Sequence, residues 1–314
     1  MEKLRIVFMG TPDFAVGILD TILKNNYDVV GVITAPDKPA GRGQKINQSA
    51  VKIFAQEKNL KILQPTNLKS DEFIEELKSL NANLQIVVAF RMLPEVVWKM
   101  PKLGTFNLHA SLLPDYRGAA PINWAIINGE HKTGVSTFFI DEKIDTGAII
   151  LKKETEITET ETAGHLHDKL MNLGAEAVVE TLKLIENNSV KTTIQPIHDT
   201  KTAYKLNREN CKIDFKKTSK EVYNLIRGLN PYPSAYTILN DDGKEYNIKI
   251  HDVTYRIENH DHNPGQLIAT KKTIHIATSD GFIEVLSLQF PGKKKMNTVD
   301  LLNGIQFSSN ANCN

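Results

Sequence analysis

The sequence predicts an α/β protein in which a Rossmann-like open parallel sheet is followed by a small C-terminal β-barrel of OB-like type. Three observations carry this. Short apolar runs alternate with amphipathic stretches over residues 1–189, the pattern of strand–helix–strand units. After about residue 208 the texture becomes short β-rich pieces separated by Gly and Asp turns, as in small barrels. A chain of 314 residues is also at the upper limit for one hydrophobic core, so two domains are expected. The division predicted is 1–189, a linker over 190–207, and 208–314.

The elements follow in order. "LRIVFMG" (4–10) is a strand bounded by Gly10-Thr11-Pro12, and "DFAVGILDTILKN" repeats apolar residues at helical spacing. "DVVGVIT" (28–34) is a second strand. "SAVKIFAQEKN" reads as a helix, "KILQ" as a strand, and "DEFIEELKSL" as a helix with acids in its first turn, where the helix dipole favours them. "LQIVVAF" (84–90) is unbroken and apolar, like a parallel strand covered on both faces. "GTFNLH", the helix "PINWAIING", "GVSTFFI" and "GAIILKKE" come next, and a long helix over 163–187 closes the half. The stretch after it has weak periodicity and reads as a connection. The second half opens with the helix "SKEVYNLIRGL", then "NPYPSAYT" and the strands "EYNIKIHDVTYRI", "GQLIAT", "TIHIATSDG" and "FIEVLSLQF".

Composition narrows the class. The net charge of +1 neither demands nor excludes nucleic acid, but it is uneven: −3 over residues 1–189 and +4 over 190–314, which would suit a basic surface on the second half. Two cysteines, Cys211 and Cys313, cannot build a disulfide framework or a Cys-rich metal site, so a cytoplasmic protein is expected. The N-terminal apolar run is too short for a signal peptide, and no run approaches the ~18 residues of a membrane span.

The first strand–turn–helix is where a dinucleotide fingerprint would sit. It lacks G-x-G-x-x-G, having only Gly10 and Gly17, so a nicotinamide cofactor is not expected. Chemistry enters instead at "TFNLHASLLPDYRGAAP" (105–121). Strand side chains alternate, so Asn107 and His109 share a face, at the carboxyl end of a strand, where open α/β sheets bind ligands. A satisfied core histidine beside a capping asparagine is the plainer alternative. The loop after "GVSTFFI" weighs against it by supplying Asp141, Glu142 and Asp145. A carboxylate there would reach His109, fix its tautomer and favour its protonated form. An amide N–H suits a developing oxyanion, and a His–Asp pair handles protons. No Ser or Cys stands in a nucleophile elbow, so the expected chemistry is direct attack of a bound amine on a bound acyl donor.

"FNLHASLLPDYRGAAPINWAI" with "IDEKIDTGAII" resembles the signature of the folate-dependent formyltransferases, Asn-x-His-x-Ser-Leu-Leu-Pro followed by Asp-Thr-Gly. The resemblance implies a formyltransferase-type sheet, catalytic roles for Asn107, His109 and Asp145, and a 10-formyltetrahydrofolate co-substrate held by Ser111, Leu112, Leu113 and Pro114. It also implies a pterin-side contact from Phe90, although "VVAFRMLP" departs from the family's usual Val-Ala-Tyr-Gly at Phe90 and Arg91. Ala110 stands where Gly is also common. "MGTPDFA" (9–15), "PDKPAGRGQK" (36–45), "AYKLNRENCKIDF", "LNPYPSAYT", "PGQL" and "LSLQFPGKKKM" resemble the branch of that family that formylates methionyl initiator tRNA. That branch uses the 36–45 insertion to grip tRNA. Here Lys38, Arg42 and Lys45 supply phosphate-seeking cations between stiffening prolines and flexing glycines. The resemblance implies tRNA binding by the second domain; no metal, no membrane and a monomer are also expected. Formyl transfer to a sugar-nucleotide amine is the alternative. His165 and His167 are two apart on a predicted helix and do not face together. "HDH" (260–262) and "KKK" (293–295) read as surface segments.

Overall fold

A computed structural model describes residues 3–40, 45–196 and 201–314. Arg42 of the 36–45 insertion lies outside the described residues. The chain divides into two compact units, one of Met1–Gly118, Thr133–Thr155 and His167–Thr202, the other of Ala119–Lys132, Glu156–Leu166 and Ala203–Asn314.

The first unit is built on β1 (Arg5–Gly10), α1 (Asp13–Lys24), β2 (Asp28–Ile33), the short strands β3 (Lys38–Ala40) and β4 (Lys45–Asn47), α2 (Ala50–Glu57), β5 (Ile62–Leu63) and α3 (Asp71–Ser79). It continues with β6 (Leu84–Val88), the single turn α4 (Glu95–Trp98), β7 (Thr105–His109) and β8 (Arg117–Gly118). The strands β9 (Lys132–Phe139) and β10 (Ile149–Glu156) and the long helix α6 (Ala163–Glu186), numbered after α5 below, supply the rest of its framework. The main sheet has the order β10-β9-β7-β6-β1-β2-β5. β1 pairs in parallel with β2 and β6, β2 with β5, and β6 with β7. Parallelism ends at β9, which runs antiparallel to β7. This departs from a wholly parallel sheet in the way α/β folds tolerate at an edge.

Burial explains the unbroken apolar runs. All five residues of β6 are buried, as are the last five of β1. Phe8, Phe106 and Phe138 are among the largest fully buried side chains, and each such residue is worth about 1.5–3 kcal/mol of transfer free energy. α1 presents Phe14, Ala15, Ile18, Leu19 and Ile22 to the sheet. α3 starts with Asp71 and Glu72 and buries Phe73, Ile74 and Leu77 against a cluster containing Val7, Met9, Ile33 and Val87. On β9, Thr137 shares a buried hydroxyl hydrogen bond with Thr181 of α6, 2.8 Å long. Gly10 has a packing reason: a Cβ there would stand 2.6 Å from the Ala15 Cβ and 3.1 Å from the Val88 carbonyl oxygen.

The second unit holds α5 (Pro121–Ile127), β11 (Thr202–Ala203) at its entry, α7 (Ser219–Gly228) and the strands β12 (Ala235–Asp241), β13 (Lys244–Ile257), β14 (Leu267–Ala269), β15 (Ile274–Ala277), β16 (Gly281–Gln289), β17 (Met296–Asn297) and β18 (Asn312–Cys313), with the short α8 (Thr298–Leu302). α7 opens with a complete capping box between Thr218 and Glu221. The Thr218 hydroxyl and backbone N–H hold the Glu221 carboxyl below its ordinary range. The sheet order is β14-β15-β16-β13-β12-β18, with β17 added on β16. Gln266 bridges to Asn312, and Leu267 N–H donates to the Ala311 carbonyl at 2.9 Å, which nearly closes the sheet on itself. The interior is filled by residues such as Ile226, Leu239, Ile248, Ile274, Ile283 and Val285.

Among the described residues, no helix is long and apolar enough to cross a membrane, and no group of three or more His, Cys, Asp or Glu is placed to hold a metal ion. His167 stacks edge-on against Phe14 with ring centroids 5.3 Å apart.

Candidate active site

β6 and β7 run in parallel in the middle of the sheet, so the ends of both strands lie at one edge. β7 places Asn107 opposite Phe138 and His109 opposite Ser136, and the period of two puts the amide and the imidazole on the same face. Asn107 is half-buried and His109 is buried. The Asn107 side chain has no hydrogen-bond partner among the described residues, so its amide is available to a ligand.

The loop between β9 and β10 delivers the third group. Asp145 adopts the left-handed region, φ 56°, which Asp visits more readily than most residues. Its Oδ2 lies 3.8 Å from Nδ1 of His109 and accepts the Gly118 N–H at 3.1 Å. Asp141, from the same loop, is exposed and bonds within the loop instead: its Oδ1 accepts from Lys143 N–H at 3.0 Å and the Thr146 hydroxyl at 2.7 Å. Glu142 is exposed. Of the three loop carboxylates, the fold therefore brings Asp145 to the histidine.

One expectation is corrected. The tautomer of His109 is set by the backbone, because Nε2 lies 2.8 Å from the Tyr116 carbonyl. A carbonyl only accepts, so Nε2 carries the proton. Nδ1 is then the nitrogen that faces Asp145.

The Ser111–Pro114 turn is locked from within. The Ser111 hydroxyl donates to the Asp115 carbonyl at 2.6 Å, the Ser136 hydroxyl donates to the Ser111 carbonyl at 2.7 Å, and Ser136 Oγ accepts the Leu113 N–H at 3.1 Å. Ser111 and Leu113 have no exposed surface, while Leu112 and Pro114 keep some. Surface for a ligand is thus offered by the latter pair. Phe90 is half-buried after Ala89, whose φ is 48°. Arg91, at the departure from the family pattern, sits 5.7 Å from the Phe90 ring centroid and donates to the carbonyls of Pro65 and Thr66. It braces the turn.

The described ends of the 36–45 insertion, β3 and β4, pair antiparallel, Lys38 with Asn47 and Ala40 with Lys45. Its base is tied down at Asp37, which accepts Gln64 Nε2 at 2.8 Å and Lys52 Nζ at 2.5 Å. Those two contacts, Gln64 first, hold the Asp37 carboxyl below its usual range. Lys38 is exposed.

Two residues that sequence reasoning passed over complete the site. Tyr116 supplies the carbonyl that holds His109. Gln195 is buried in the segment read as a connection, and its side chain bonds the backbone around Asp145. A backbone carbonyl has no sequence signal, and a lone Gln in an aperiodic stretch has almost none.

A model described as Formyl transferase matches residues 4–182, and one described as Formyl transferase, C-terminal domain, matches 205–306. The chain belongs to the formyl transferase family. It is 68% identical over 312 residues to the Methionyl-tRNA formyltransferase of Flavobacterium johnsoniae, covering 99% of both chains. It is 51% identical to the Methionyl-tRNA formyltransferase of Bacteroides thetaiotaomicron, covering 98% of this chain and 97% of the other. Among solved structures it resembles WlaRD, a sugar 3N-formyl transferase determined in the presence of dTDP and 5-N-formyl-THF. That likeness has a TM-score of 0.66 and 26% identity, over 94% of this chain and 100% of the other.

Proposed function

We propose that this chain transfers the formyl group of 10-formyltetrahydrofolate to the α-amine of methionine esterified to initiator tRNA. The observation that carries this reading is the grouping of Asn107, His109 and Asp145 at one sheet edge in a chain 68% identical end to end to a Methionyl-tRNA formyltransferase. In this reading the amine nitrogen bonds to the formyl carbon, the bond from that carbon to the folate nitrogen breaks, and the amine proton ends on that nitrogen. The Asn107 amide donates to the formyl oxygen as it gains charge. Nδ1 of His109 takes and returns the proton, and Asp145 stabilises the imidazolium formed in between. Leu112, Pro114 and Phe90 would line the donor pocket, with Ser111 and Leu113 shaping it. Residues 1–189 would form the catalytic domain and 190–207 the connection. Residues 208–314, with Lys38, Arg42 and Lys45, would hold the tRNA through phosphate contacts. The enzyme would work as a monomer in the cytoplasm.

The test is a formyl-transfer assay with purified protein and 10-formyltetrahydrofolate. The acceptors are methionyl initiator tRNA, methionyl elongator tRNA, free methionine and an amino-sugar nucleotide. Formylation confined to the initiator is the expected result. Transfer to the sugar amine alone would replace this reading with the alternative acceptor.

A further inference from the structure

We infer that Gln195 is a positioning residue for formyl transfer: it clamps the backbone at Asp145 and two residues beyond it, and so holds that carboxylate against His109. The inference rests on the catalytic reading of Asp145 given above.

The Gln195 amide is 5% exposed and every hydrogen-bonding position on it is engaged. Nε2 donates to the carbonyls of Asp145 and Gly147, each at 2.9 Å. Oε1 accepts from Arg117 Nη2 at 2.6 Å and Nε at 3.2 Å, and that same Nε also reaches the Asp145 carbonyl at 3.1 Å. The next residue after Arg117, Gly118, gives its N–H to the Asp145 carboxylate at 3.1 Å. Asp145 thus has its carbonyl, its side chain and the carbonyl two residues on all fixed from outside its own loop. A non-glycine residue with φ 56° stays there only when its surroundings hold it.

The segment carrying Gln195 is itself anchored. Thr193 exchanges two backbone hydrogen bonds with Ile149, both 2.8 Å. Further along, the Lys201 carbonyl accepts the Tyr116 N–H at 2.6 Å, and Tyr116 is the residue whose carbonyl holds His109. The two described ends of one segment therefore grip the supports of both His109 and Asp145. A glutamine that merely filled carbonyl valences in a loop would serve folding alone. This one sets the position of a reacting pair.

The experiment uses the full chain with Gln195→Met, Gln195→Glu, Asp145→Asn and the double variant Gln195→Met/Asp145→Asn. Glu keeps the acceptor for Arg117 and loses the donors to the two carbonyls. Misplacing a reacting group by an ångström can cost about 10²-fold, so both Gln195 variants should lose about 10- to 100-fold in kcat. KM for the folate and the charged tRNA should be unchanged. The double variant should be no slower than Asp145→Asn alone, since the clamp acts through that carboxylate. Thermal midpoints and tetrahydrofolate affinity report folding independently, and Gln195→Glu stands in if the Met variant fails to fold. Wild-type kcat in a folded Gln195 variant, or losses that multiply in the double variant, would overturn the inference. An Asp145→Asn enzyme with wild-type turnover would overturn the reading beneath it instead.

Discussion

Nδ1 of His109 stands 3.8 Å from Oδ2 of Asp145 while Nε2 of the same ring is held at 2.8 Å by the Tyr116 carbonyl. The first distance is too long for a hydrogen bond and short enough for strong charge attraction in a buried setting. The ring is oriented by the backbone, and Nδ1 faces the Asp145 carboxyl group.

Asn107 lies two residues before His109 on the same face, with an amide that has no hydrogen-bond partner among the described residues. Removing one oxyanion donor typically costs about 10²–10³ in kcat, so Asn107→Ala is expected to lose that much with folate affinity retained. Single-turnover formylation alongside equilibrium folate binding measures both. Near-normal turnover would remove Asn107 from the mechanism.

The 36–45 insertion is anchored at Asp37, with an exposed Lys38 next to it. Lys38→Ala and Arg42→Ala are each expected to weaken charged-tRNA binding and leave folate binding alone. The slope of log affinity against log salt should become shallower by about 0.7 for each single-strand phosphate that the variant no longer neutralises. A salt titration of tRNA binding decides it. An unchanged slope would make the insertion a bystander.

Two histidines of the barrel give a pH signature. Nε2 of His251 and Nδ1 of His275 are buried without a hydrogen-bond partner among the described residues. Burial, with Lys295 adding to it at His251 and Arg256 at His275, pushes both below the ordinary histidine range. Each then binds a proton more readily unfolded than folded. Stability is therefore complete above about pH 6.5, the unperturbed value, and falls as pH drops from there toward the folded-state values. Urea midpoints taken on both sides of that pH should show the decline, and His251→Gln with His275→Gln should flatten it. A decline undiminished in the double variant would assign it to carboxylates.

Much of the protein could be read along the chain because the forces involved are local or periodic. The unbroken apolar run of β6 announces a strand covered on both faces, and the spacing of Phe14, Ile18 and Ile22 announces the packed face of α1. Asn107 and His109 are visible as a pair because strand geometry alone puts i and i+2 together. Tertiary structure alone decided what surrounds that pair. Which of Asp141, Glu142 and Asp145 meets the histidine depends on a loop held at φ 56° by residues remote in sequence. The tautomer of His109 depends on a backbone carbonyl, which every residue has and no composition reveals. Gln195 stands 50 residues from the carbonyl of Asp145 that it holds. A directional bond across that separation leaves no period or propensity to read, and exists only once β9, β10 and the segment after α6 have packed.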